Sequence, residues 1–317
     1  MTAVKSLYLY LLTGVLFFLP MGTLSLCAQT LVIDAEKQYQ YAEQLNAEGR
    51  FRQAAEEYER FAFFFPQDPR QRMARFKSAS AFFKAGDIDT ALERFNPLTH
   101  GDALDHVAIE SFFMMTECYL AGKQYGQAIL QMRNLIVLSD QQHEKDRAYE
   151  RIGWIRIDQM DWEGARRAFG RMTPSAQDEH QIDRLDAALE GASQLPYKAP
   201  ALAGALSIVP GAGQLYCGRY EDALAAFLVN GALIWASYES FDHDLNALGG
   251  LLAFVGVGFY ASNIYGAVSS AHKYNLSQKQ RYGEQLRQQH LTNRYPPDER
   301  LRSGSDPRFI LSFRLPF

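Results

Sequence analysis

The sequence predicts an all-α chain in two parts: a solenoid of about four stacked helix pairs with a capping helix, then a small helical transmembrane domain. Three observations carry this. Ala54, Ala91, Ala128 and Ala165 recur every 37 residues, each followed four positions later by a large apolar residue (Tyr58, Phe95, Met132, Phe169). Charge then thins abruptly, since residues 31–193 are charge-rich and 199–268 carry few ionisable groups. Within that apolar stretch Gly249, Gly250, Gly256, Gly258 and Gly266 crowd together, a density that suits close helix packing in lipid.

The N-terminus comes first. Residues 1–28 read as a secretory signal: Lys5, an apolar run over 7–19, a break at Pro20, and the small Ser25 and Ala28 before cleavage. Leu24, Ser25, Leu26 and Cys27 are similar to a lipoprotein box, with a bulky Leu26 where that box holds a small residue. Lipid attachment and an uncleaved anchor are the other two readings. All three carry the helix pairs out of the cytoplasm.

Residues 31–193 form the helix-pair domain. Tyr39, Ala42 and Leu45 share one helical face; Phe51, Ala54, Ala55, Tyr58 and Phe61 share the next. Gly49, Gly86 and Gly122 suit the turns inside the pairs, and Pro66 closes the first. Ala42, Ala79, Thr116 and Gly153 are the small residues of the first helices, where two helices cross closely. These small residues, turn glycines, second-helix alanines and following large residues resemble the tetratricopeptide repeat. The period exceeds that family's usual value of about 34, which fits longer turns between pairs. The family's first-helix Trp is absent. Ala54, Tyr58, Phe61 and Pro66 are also similar to the periplasmic repeats of outer-membrane assembly lipoproteins. The resemblance implies a groove that holds a peptide or a partner helix. Phe61, Phe63, Phe64 and Phe65 exceed what one helix face can bury. Packing on the next pair is one outcome, and an exposed contact patch at Phe63 or Phe64 is the other. A charged helix at about 175–191, with Ser175 suited to its N-terminus, caps the stack.

Residues 194–200, with Pro196 and Pro200, form a linker to the membrane domain at 201–272. Its first apolar run stops at Pro210 after about 16 Å of helix, short of a bilayer core of about 30 Å. The helix either kinks through Pro210 and Gly211 or enters and turns back. The segments 223–238 and 247–268 come next, separated by the acidic Glu239, Asp242 and Asp244. Lys273, Lys279, Arg281 and Arg287 lie beyond. The positive-inside rule then favours three crossings, with this basic tail on the side opposite the helix pairs. Pro210, Gly211, Gly213, Gln214, Tyr216 and Gly218 resemble the opening of bacterial TM2-like membrane domains, which implies a helical hairpin. Gln214, Asn230 and Asn263 are the polar residues inside apolar segments. They either bond one another and freed carbonyls or line a polar pathway.

The tail at 273–317 is polar, with a short helix to about His290 and a strand-like alternation from Phe309 to Phe317. Catalytic signatures are absent: no GxSxG, no P-loop and no HExxH. His100, His106, Asp102 and Asp105 read as a solvated loop. Cys118 reads as packing in a repeat helix. Net charge is −4, which gives no nucleic-acid footprint. The sequence therefore implies a non-enzymatic scaffold with no cofactor or metal. Its expected partners are a protein or peptide in the repeat groove, membrane lipid, and further copies of itself through the glycine-rich helices. The expected location is the bacterial inner membrane with periplasmic repeats, or association with the outer membrane. A role of the membrane domain in envelope-protein insertion or lipid handling, with the repeats as docking arm, is the alternative.

Overall fold

The computed structural model describes residues 34–101 and 104–294. The signal segment, Asp102 and the alternating segment 309–317 lie outside the described residues. Every regular element among the described residues is a helix.

Eight helices come first: α1 (Ala35–Ala47), α2 (Phe51–Phe64), α3 (Gln71–Lys84), α4 (Ile88–Phe95), α5 (His106–Ala121), α6 (Tyr125–Leu138), α7 (Gln142–Asp158) and α8 (Trp162–Phe169). Neighbours in this series pack on each other. A 3₁₀ turn, Asn96–Thr99, extends α4. The 37-residue register is entirely interior. Ala54, Tyr58, Ala91, Phe95, Ala128, Met132 and Ala165 are 0% exposed and Phe169 is 1% exposed. Alanine at these points lets two backbones close, and the large residue beside it fills the space left. Gly153 is the extreme case, because a Cβ there would sit 2.3 Å from the Phe169 ring. The large residues form successive apolar clusters around Tyr58 and Phe95, around Met132 and Ile155, and around Phe169 and Leu185. Each fully buried Phe contributes about 1.5–3 kcal/mol.

The left-handed turn residue keeps the same spacing. Gly49 and Gly86 have φ of 76° and 80°, and Lys123 and Met160 have 55° and 59° at the equivalent positions. The third turn therefore bends at Lys123 rather than at the expected Gly122, whose φ is −83°. Turn geometry fixes which position is left-handed, and Lys123 and Met160 adopt that conformation against the strain any Cβ suffers there.

Ion pairs link the first helices of successive pairs. Glu43 meets Lys77, Glu36 meets Arg70 at 2.6 Å, Arg72 meets Asp105 at 2.7 Å, and Glu110 meets Arg147 at 2.8 Å. Glu117 meets Arg151 at 2.5 Å. The expected single capping helix is two, α9 (Pro174–Glu179) and α10 (Ile182–Gly191), parted at Gln181 with φ 52°. Thr173, not Ser175, caps α9, and Pro174 supplies its preset first turn.

Four helices form the foot: α11 (Pro200–Leu206), α12 (Ala212–Tyr216), α13 (Tyr220–Asp242) and α14 (Asn246–Arg294). Two of these, α13 and α14, are long and apolar enough to cross a membrane by length and composition. The first apolar run is not one unbroken helix. It breaks after Leu206, turns at Gly211 with φ 88°, and resumes as the short α12.

The basic tail also departs from expectation. It is no separate helix, since α14 runs 49 residues without interruption across the expected boundary at 272. Its second half lies on the helix pairs. The Tyr282 hydroxyl donates to the Ala188 carbonyl at 2.5 Å, Arg287 pairs with Asp158 at 2.5 Å, and Leu286 is buried among Ile157, Phe169 and Leu185. The Trp162 ring lies 6.0 Å from that of Tyr282. Lys273, Lys279, Arg281 and Arg287 thus continue toward the helix pairs, on their side of any bilayer crossed by α13 and early α14. A third crossing with the tail opposite does not fit this packing.

Candidate functional site

The residues singled out near Pro210 meet around Asn263. Chain reversal at Ser207–Gly211 leaves backbone groups without helical partners, and in an apolar foot each must be satisfied internally. Asn263 does this twice. Its Oδ1 accepts from the Gly211 N–H at 3.1 Å, and its Nδ2 donates to the Ser207 carbonyl at 3.0 Å. The Tyr260 hydroxyl donates to the Ile208 carbonyl at 2.9 Å. Gln214 Nε2 donates to the Asn263 carbonyl at 2.9 Å. Half of the expected amide network is present in this form. Asn230 takes no part, and donates instead to the Ala226 carbonyl of its own helix at 2.8 Å.

The glycines follow from the crowding. At Gly211 a Cβ would lie 2.2 Å from the Ala223 carbonyl oxygen. At Gly213 it would lie 2.1 Å from Ser207 Oγ and 2.6 Å from the Ala267 methyl. Gly213 therefore brings α12 against both α11 and α14. Gly218, φ 80°, ends α12 with open space around it. Pro210 stands at the turn itself. Tyr216 faces the linker: its hydroxyl accepts from the Ala199 N–H at 3.1 Å, and the Lys198 ammonium sits 4.6 Å from its ring. Asn275 of α14 holds the Lys198 backbone through both its N–H and its carbonyl, each at 2.8 Å. The linker is therefore pinned, a feature that no local pattern in 194–200 signals. Within the foot, Gln214 Oε1 is buried with no hydrogen-bond partner among the described residues.

The second region is on the helix pairs. Phe61 is buried and Phe65 packs on it, with ring centroids 5.4 Å apart. Phe63 and Phe64 point outward, 78% and 51% exposed, with their own rings 5.3 Å apart. Phe63 lies on the rim of a cleft of about 550 Å³ that also involves Arg75 and Pro97.

No group of three His, Cys, Asp or Glu among the described residues could hold a metal. Asp105 caps α5, accepting from the Ala108 N–H at 2.8 Å, and His100 Nδ1 lies 2.8 Å from the Asn96 carbonyl. Burial pushes the Cys118 thiol up to about 12, which keeps it protonated and inert. The side chains that tie α14 to the helix pairs escaped the sequence reading. Tyr282, Leu286 and His290 repeat at helical spacing within the polar tail, and that spacing is the signal that marks a docking face. No protein-family model matches the chain, and no curated protein matches its sequence.

Proposed function

We propose that the chain is a non-enzymatic scaffold whose stacked helix pairs, a tetratricopeptide-like solenoid, hold a protein or peptide partner beside the bacterial inner membrane. The observation that carries this is the neighbouring pair Phe63 and Phe64, two large rings left in solvent while Phe61 beside them is buried. Exposed aromatic pairs on a rigid frame are the usual anchors of a protein contact. The packing of late α14 on α7, α8 and α10 supports the anchoring half. It holds a captured partner at a set height above the bilayer and raises its local concentration there. The helix pairs are placed in the periplasm on the export character of residues 1–28, and the first hydrophobic segment usually dominates orientation. Association with the outer membrane is the alternative location.

A photo-crosslinking residue at position 63 of the full chain, in intact cells, tests the reading. Discrete adducts at 63 and 64, absent from a site on the ion-paired face such as 77, support it. Equal or no adducts at all three sites overturn it.

The unpartnered Gln214 Oε1 favours a second reading, in which the foot handles envelope proteins or lipid and the helix pairs serve as docking arm. Gln214→Leu separates the two. Loss of the cellular phenotype with partner adducts intact assigns the work to the foot.

A further inference from the structure

The cleft beside Phe63 has two counterparts on the helix pairs. A second, of about 350 Å³, involves Asn96, His100, Phe112 and Asn134, and a third, of about 460 Å³, involves Arg133, Val137, Tyr149 and Arg171. They occupy the same register. Glu59, Asn96 and Arg133 are 37 residues apart, and so are Phe63, His100 and Val137, and Pro97, Asn134 and Arg171. Each opens between consecutive second helices, over the first helix of the later pair. Val137 borders both the second and the third, so these two adjoin, and the first lies one repeat before them in the same register.

Charge changes along this face. The first cleft mixes signs, with Glu56 and Glu59 beside Arg60, Arg75 and Arg94, and Arg94 pairs with Glu59. The second holds amides, Thr99 and one histidine among the apolar Phe112, Val137 and Leu138, and no Asp, Glu, Lys or Arg lines it. The third gathers Arg133, Arg156, Arg167 and Arg171, and no carboxylate lines it. Among the described residues Arg156 has Asp161 at 3.2 Å, whereas Arg133, Arg167 and Arg171 form no ion pair. The face across first helices differs, since there acids and bases neutralise one another pair by pair.

We propose that this face binds an acidic segment of a protein partner, with its carboxylates over the third cleft and its apolar side chains toward Val137 and Phe63. The proposal rests on the scaffold reading and names the partner's chemistry and direction. Converging guanidinium groups select carboxylates by charge and by fork geometry. Ile136 and Ile152 beside them give apolar side chains a seat. The chain's own segment 295–317 is not an acidic segment, with four arginines against three Asp and Glu side chains. Lipid headgroups fit less well. Gly283, which faces Ile157 of α7, lies about 16 Å of helix beyond residue 272, the expected end of the apolar segment.

The test uses the full chain in phosphatidylcholine nanodiscs. Two labelled amphipathic peptides serve as probes, one of Glu, Leu and Ala and the other with Lys for Glu, together with phosphatidylglycerol vesicles. The acidic peptide is expected to bind in a salt-sensitive way, and the lysine peptide to bind weakly. Arg133→Glu, Arg167→Glu and Arg171→Glu together are expected to weaken the acidic peptide about tenfold or more. The milder glutamine triple variant should fall between, and circular dichroism confirms that both fold. Equal binding of the two peptides, an unchanged triple variant, or arginine-dependent binding of vesicles alone overturns the proposal. Adducts at Phe63 in cells that survive the arginine reversal would leave the scaffold reading standing and remove this one.

Discussion

Tyr282 and Ala188 are 94 positions apart, yet the hydroxyl of the one donates to the carbonyl of the other. The first belongs to the helix that crosses the apolar foot and the second to the end of the helix-pair domain. If α13 and early α14 cross a membrane, both then lie on the same side of it. Single cysteines at Lys37 and Gln285 are expected to react equally with an impermeant maleimide in intact cells. A cysteine at Asp242, in the turn between α13 and α14, is expected to react only after the membrane is opened. Opposite labelling of the first two would break the two-crossing arrangement.

The Asn263 tie should be costly to cut. Asn263→Leu leaves the Gly211 N–H and the Ser207 carbonyl unpaired inside the foot. About 2 kcal/mol is expected from two such bonds in an apolar setting. Thermal denaturation in micelles checks this, with Asn230→Leu as the milder control because Asn230 serves only its own helix turn.

The strained turns offer the opposite result. Lys123→Gly and Met160→Gly remove a Cβ from a left-handed residue and are expected to stabilise by about 1 kcal/mol each. Gln124 precedes α6 without a side-chain cap, while the equivalent Asp87 and Asp161 each accept from their own helix. Gln124→Asp should add about 1 kcal/mol. Urea unfolding of each variant measures the gain.

Acid should loosen the first two pairs. Burial, the largest single influence, would raise the Glu43 pKa, but the Lys77 ammonium together with the Tyr58 and Tyr39 hydroxyls outweighs it and holds the carboxyl below its ordinary value. A depressed folded value means the unfolded chain takes up the proton first as pH falls. The contribution is present above the ordinary value of 4.5 and is lost below it, through the lower folded value. Stability of Glu43→Gln should therefore show a shallower acid slope than the parent over that interval.

Much of this architecture was readable beforehand, and the divide is physical. Ala54 and Phe169 declared themselves because burial repeats with the helical period, a local signal that survives in sequence. Gly122 misled because the turn position depends on where the carbonyls point, and one residue of slip moves the left-handed site to Lys123. The break at Gln181 has the same origin. Gly213 was marked as part of a motif, but the reason for it, contact with Ser207 and Ala267, involves elements far apart in the chain. Docking of Tyr282 and Leu286 was hidden for that reason too. A polar tail with an apolar stripe reads as a free amphipathic helix until its counterpart is placed.

The unbroken α14 is about 74 Å long by its rise per residue. If its apolar half is embedded in lipid, the hold of its other end on the helix pairs ties their orientation to the tilt of that half. Where the lipid layer is thin, a long hydrophobic stretch leans over. A lean of a few degrees in the hydrocarbon is then magnified at the far end, swinging α7, α8 and α10 sideways by several ångströms. Bilayer thickness would in that arrangement govern the angle at which the helix pairs stand.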